Sequence, residues 1–163
     1  MNASADRRNV LRTLMVYLCA ANIGTSVIIP PGDDRVPDIG TPSWVRVSFQ
    51  DIAAVQSGRQ AGDHMVRQDA LVSVDCFTPS LATQLVGSVD DVDGIASRVA
   101  SALRFRDLPL KDYVSDASGA TAITGAALRN MAPPTILTPA PVEGYQRRTV
   151  QARVYWFARH QET

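Results

Sequence analysis

The chain reads as an α+β protein: a two-layer sandwich with a mostly antiparallel sheet of four to five strands and two helices packed on one face. Three observations predict this. Tyr145 to Phe157 alternates apolar and polar residues over a length that suits a strand, and two earlier runs, Trp44 to Gln50 and Val66 to Phe77, repeat that alternation. The two segments with helical periodicity carry one apolar stripe each. Strands joined by a short hairpin are antiparallel, and single-striped helices need one covering layer, so two layers suffice. At 163 residues and 45% hydrophobic, the chain suits one domain, 1–163, able to bury a core without staples.

The elements follow in order. Val10, Leu11, Leu14, Met15, Leu18 and Ala21 fall on one side of a helix whose other side carries Arg8, Asn9, Arg12 and Thr13. Ser4 or Asp6 can cap its start, and Asn22-Ile23-Gly24 supplies the left-handed residue that stops it. Arg7-Arg8 ahead of an apolar run also has a twin-arginine look. Arg12 and Thr13 interrupt that run, however, and Leu18 before Cys19 fits a lipoprotein cleavage box poorly, so the core helix is the favoured reading. No stretch is long enough to span a bilayer as a helix.

Val27-Ile28-Ile29 makes a short strand cut by Pro30-Pro31, and Gly32 to Pro42 is a polar loop. In the next strand Val45, Val47 and Phe49 oppose Arg46, Ser48 and Gln50. A polar hairpin tip follows, from Gln56 to Asp63. The strand after it sets Val66, Ala70, Val72, Val74 and Cys76 against Arg67, Asp69, Ser73 and Asp75, and Thr78-Pro79 ends it. Val92, Ile95, Ala96, Val99, Ala100 and Leu103 form the strongest helical stripe, with Asp90, Asp91 and Asp93 where carboxylates favour a helix start. The region 107–131 is irregular, glycine- and alanine-rich from Ser115 to Ala127, and reads as a small hairpin or an extended arm. Thr135 to Leu137 makes a further strand, and Val142-Glu143-Gly144 turns the chain into the closing one. There Val150, Ala152, Val154 and Trp156 face one way and Thr149, Gln151, Arg153 and Tyr155 the other.

Composition narrows the function. Sixteen basic residues balance 16 acidic ones, so no global field would drive the chain onto DNA or an anionic membrane. Cys19 and Cys76 lie in apolar runs with no CxxC spacing, as small buried thiols in a reducing compartment do. No catalytic set is legible. His64 sits at the hairpin and His160 near the chain's end, poor supports for a preorganised base, and no nucleophile elbow, phosphate loop or His-Glu-x-x-His pair occurs. Asp33-Asp34 and Asp90-Asp91-Asp93 have simpler roles in a loop and at a helix start than in holding Mg²⁺. No catalytic, cofactor-binding or metal residues are therefore assigned, and no cofactor is expected.

The order of elements supports one resemblance. An N-terminal amphipathic helix is followed by the strand Pro42-Ser43-Trp44-Val45-Arg46-Val47, a glycine-bearing hairpin, and Ala70-Leu71-Val72-Ser73-Val74-Asp75-Cys76-Phe77 with Thr78-Pro79 behind it. With the helix Val92 to Arg104 and the closing strand Arg148 to Phe157, the chain resembles the tail terminator proteins of long-tailed bacteriophages over most of its length, apart from Gly32 to Pro42 and Asp107 to Met131. The resemblance implies a non-enzymatic virion protein, made in the host cytoplasm. It would form a homo-oligomeric ring, usually of six copies, on the head-proximal end of the tail tube. Its partners would be itself, the tail tube protein and a neck or head-closure protein, with passive contact to DNA in the lumen and no membrane. Another neck or tail-completion protein is the neighbouring reading. A monomeric α+β enzyme or ligand-binding domain is the reading from a different class.

Candidate contact residues follow from exposure. The hairpin tip offers Gln56, Gly58, Arg59, Gln60 and Asp63, and the Ser115 to Asn130 arm offers Thr124 and Arg129. The polar sheet face offers Arg46, Arg67 and Arg153, beside Asp69, Asp75 and Gln151, where mixed signs also suit cross-strand pairing. Arg147, Arg148, Arg159 and His160 make a basic end for DNA or acidic loops, or merely a solvated one.

Overall fold

A computed structural model describes residues 7–25, 28–33, 43–60, 63–79, 92–119, 121–142 and 144–160; for 51–60, 63–65, 159 and 160 it describes strand placement and pairing alone. Helix α1 spans Arg7–Ala20, a stretch free of glycine and proline. Its stripe places Val10, Leu14 and Leu18 in the core at 0% exposure. Past its end, Gly24 takes φ 93°, a left-handed turn open to glycine. Strand β1 (Ile28–Ile29) then runs parallel to β2 (Trp44–Gln60), which pairs antiparallel with β3 (Asp63–Pro79).

Helix α2 (Val92–Ala102) buries Val92, Ile95, Ala96, Val99 and Ala100, the expected stripe, and Leu103 just beyond it is also buried. Strands β4 (Leu108–Lys111) and β5 (Ala122–Asn130) form a hairpin, β6 (Thr135–Leu137) follows, and β7 (Tyr145–His160) closes the chain. The sheet order is β1-β2-β3-β7-β5-β4, with β6 pairing β7 beside β5. Among the described strands only the β1–β2 pair is parallel, so the sheet is mixed.

The α+β class and the two helices match expectation. The strand count differs: the described residues form seven strands where four to five are expected. The region 107–131 supplies the β4–β5 hairpin, in which Leu110 and Leu128 are fully buried, so it belongs to the core and is no projecting arm. The Gln56 to Asp63 tip is corrected too. Pairing runs on through Gln56↔Val66 and Arg59↔His64 to Gln60↔Asp63, with a register shift between Gln56 and Arg59 that holds Gly58. Strand β7 likewise extends past Phe157, to His160 opposite His64.

One cluster joins Val10, Leu14 and Leu18 of α1, Ile95 and Val99 of α2, and the inward residues Val45, Val47, Val72, Val74, Val150 and Val154. Both helices therefore share one sheet face. Burying each such aliphatic side chain stabilises by about 1.5–3 kcal/mol, and alternation along β2, β3 and β7 keeps these residues on that side. The opposite face has a smaller cluster of its own: Ile29, Trp44 and Phe77, with Tyr145 packed against it. Trp44 stacks on Phe77 at 3.9 Å between centroids, and Tyr145 meets both rings edge-on.

Candidate functional site

Strands β2, β3 and β7 present their outward residues in cross-strand rows, which bring the polar positions together. Asp75 on β3 lies opposite Arg46 on β2 and Thr149 on β7. Its carboxylate accepts from Arg147 Nη2 at 3.0 Å and from Thr149 Oγ1. Gln151 Nε2 donates to Ser73 Oγ at 3.3 Å. Asp75, Arg147, Thr149, Ser73 and Gln151, with Ser48, Phe49, Gln50 and Leu71, line a shallow groove of about 370 Å³. Its charges satisfy one another in a cross-strand hydrogen-bond network.

Arg46, Arg67 and Arg153 all lie on this outward face. The Arg46 guanidinium sits 5.3 Å from the Trp44 ring. Arg67 is held by Asp69 at 2.7 Å and lies 4.5 Å over Tyr155. Arg153 is exposed. Thr124 is exposed on β5, whereas Arg129 Nε donates to Asp107 across the base of the β4–β5 hairpin. Gln56, Gly58, Arg59, Gln60 and Asp63 are strand residues of the distal β2–β3 pair, and their side chains lie outside the described residues. Of the basic end, Arg147 pairs with Asp75 and Arg148 with Asp93 of α2 at 2.8 Å, while the side chains of Arg159 and His160 lie outside the described residues.

The borders of the sheet differ chemically. Beyond β4, helix α1 stands where another strand would pair: the Lys111 N–H donates to Thr13 Oγ1 at 3.1 Å, and the Tyr113 N–H to Asn9 Oδ1 at 2.8 Å. That border is sealed by side chains. At the other borders, β1 pairs with β2 at Val45 and Arg46, and β6 pairs with β7 alone. Neither sealing bond was legible in the sequence, because Asn9 and Thr13 read as the wet side of α1; both are buried.

Two ionisable groups are clearly perturbed. Burial, and secondly the Asp75 charge, push the Cys76 thiol up to about 12, which marks a structural cysteine. The backbone N–H of Ser115 leads the interactions that hold Asp112 below the usual carboxylate range, and the Val114 N–H and the Asn9 side chain add to it. Among the described residues no group of three or more His, Cys, Asp or Glu could hold a metal, with Asp34, Asp90 and Asp91 lying outside them. None of the described helices is long and apolar enough to cross a membrane.

No family model and no curated protein matches the chain. Among 9 matching solved chains, one is similar at a TM-score of 0.53 and 15% identity, over 96% of this chain and 95% of that chain. At that identity the likeness establishes a shared fold and nothing about activity.

Proposed function

We propose that this chain is a virion structural protein of a long-tailed bacteriophage, a terminator-type subunit that forms a ring of six copies on the head-proximal end of the tail tube. The ring stops tube growth and joins the tail to the neck. The protein works without catalysis, cofactor or metal, is made in the host cytoplasm and ends in the virion. Its partners are its own copies, the tube protein and a neck or head-closure protein, with DNA passing through the lumen.

One observation carries this reading. Among the described residues the sheet has two unlike borders, β1–β2 and β6–β7, on opposite sides of β3, while α1 seals the border at β4. A ring closes through head-to-tail contacts between two different patches of one subunit, and strand borders provide such patches through backbone hydrogen bonds. The 17-residue strands β2 and β3, each roughly 55 Å long, give the subunit a long axis from which to contact successive layers.

The test is assembly. Purified protein added to tail tubes should appear in negative-stain images as a cap on one end of each tube, and tubes grown in its presence should stop lengthening. Immunogold label should sit at the junction of capsid and tail. A protein that stays monomeric beside tubes, and that a small metabolite stabilises against heat, would instead be a ligand-binding domain.

A further inference from the structure

Resting on the ring reading, we infer that the junction between subunits is an antiparallel pairing of β6 from one copy with β1 of the next. Scattered exposed aliphatic side chains need no explanation, but four of the six large ones exposed among the described residues fall within residues 131–142. They are Met131, Ile136, Leu137 and Val142, at 42%, 44%, 41% and 47% exposure. Strand β6 lies in the middle of this segment at a border of the sheet.

The register shows what fits there. One cross-strand row runs Ile29–Arg46–Asp75–Thr149–Leu137, and the outward side chains at its centre are charged or polar while both ends are aliphatic. The core-facing residues Ile28 and Ile136 lie one row to either side of it, opposite Val45 and Val150. Each border strand thus carries one aliphatic residue per face, and the outward pair, Ile29 and Leu137, stands at the same height. Polarity agrees as well. Strand β1 is parallel to β2, β7 is antiparallel to β3 and so parallel to β2, and β6 is antiparallel to β7. Rotation about an axis along the strands therefore brings β6 against a neighbouring β1 in the antiparallel sense, the more stable ladder per residue.

Prolines limit both strands: Pro30-Pro31 follows β1, and Pro133-Pro134 and Pro139 flank β6. Without backbone N–H groups these positions confine pairing to a short window, which disfavours indiscriminate sheet extension while allowing one partner of matching length. Met131 and Val142 add apolar area on either side of that window.

The experiment uses full-length chains on a Cys19→Ser background, with tail tubes present. Mixing Ile29→Cys with Leu137→Cys, which face the same side of the sheet in one row, should give covalent mixed dimers under mild oxidation, and a chain with both changes should give a ladder of higher species. Leu137→Asp should keep the wild-type thermal midpoint and lower ring yield at least tenfold. Cross-linking of Leu137→Cys with itself alone, or wild-type ring yield in Leu137→Asp, would overturn the junction and leave the ring standing. A covalent ladder without closed rings would support the junction and overturn the ring. Absence of both rings and cross-links would overturn both.

Discussion

The side-chain carbonyl of Asn9 accepts the backbone N–H of Tyr113 at 2.8 Å across 104 residues of sequence, and both residues are buried. A helix side chain thereby satisfies a donor just past β4 that would otherwise be left without a partner on desolvation. Asn9→Ala strands that donor, and the penalty for an unsatisfied buried N–H is about 1–3 kcal/mol. The midpoint of urea unfolding should fall by that equivalent. Thr13→Val removes the analogous acceptor for Lys111 and should cost less, because that bond is only partly buried. An unchanged midpoint in Asn9→Ala would show that this border is held by packing alone.

Gly119 is held beneath the Tyr113 ring. Its φ of +65° is left-handed, and an added Cβ would lie 2.2 Å from Tyr113 Cε1. Gly119→Ala therefore combines backbone strain with a ring clash and should destabilise by about 1–3 kcal/mol. In a Tyr113→Ala background the clash disappears and the conformational part remains, so the double-mutant cycle should be non-additive. Strict additivity would mean that the ring shifts aside at no cost.

The elements that were readable in the sequence are those whose partners lie on a regular period. Val92 to Leu103 repeats at helical steps, and Val150 to Trp156 alternates, so both were assigned together with their buried faces. Strands β4 and β5 lack that signature. Leu108–Lys111 contains Pro109, and Ala122–Asn130 is mostly small residues with Gly125 inside it; their burial comes from pairing with each other and from α1, about a hundred residues away. Among the candidate contacts, the outward placement of Arg46, Arg67 and Arg153 was legible from alternation. Their partners were less so: the ring under Arg46 belongs to an outward aromatic cluster that alternation places against Val45 and Cys76, a reading available at Trp44 and Phe77 but not drawn from them.

Asp112 gives the stability a dependence on acid. The Ser115 N–H leads the interactions that hold the folded Asp112 pKa below the usual carboxylate range. A depressed carboxylate contributes stability that is present above its unfolded pKa and is lost as pH falls through the folded one. Wild type should therefore lose stability between about pH 4 and the lower folded value faster than Asp112→Asn does, a difference read from denaturant midpoints measured at each pH. Parallel curves would mean that the turn from Asp112 to Ser115 is held without the carboxylate charge.

Val72 and Val154 sit at 0% exposure on the core side of β3 and β7. An aspartate at either place would be a buried charge without a partner, at a cost of several kcal/mol against a typical net stability of about 5–15 kcal/mol. Neither variant should show a cooperative thermal transition at neutral pH. Arg153→Asp, one position along β7 and exposed, should unfold close to wild type. A cooperative transition in Val154→Asp would place the core on the wrong face of β7.

Cysteine reactivity tests both the packing of β3 and the surface of α1. Cys19 is exposed, whereas Cys76 is buried with its pKa raised from 9.0 to about 12. The thiolate is the nucleophile, so at pH 8 one equivalent of a thiol reagent should react at once, and the second only as fast as the chain opens. The raised value also fixes the alkaline limit. A folded pKa above the unfolded one contributes stability that is complete below pH 9.0 and declines as pH rises towards about 12, because the unfolded thiol ionises first. Cys76→Ala should flatten that decline while lowering stability at neutral pH through the small cavity it leaves. Two thiols reacting together in the native protein would mean that the sheet under α2 opens on the timescale of the reagent.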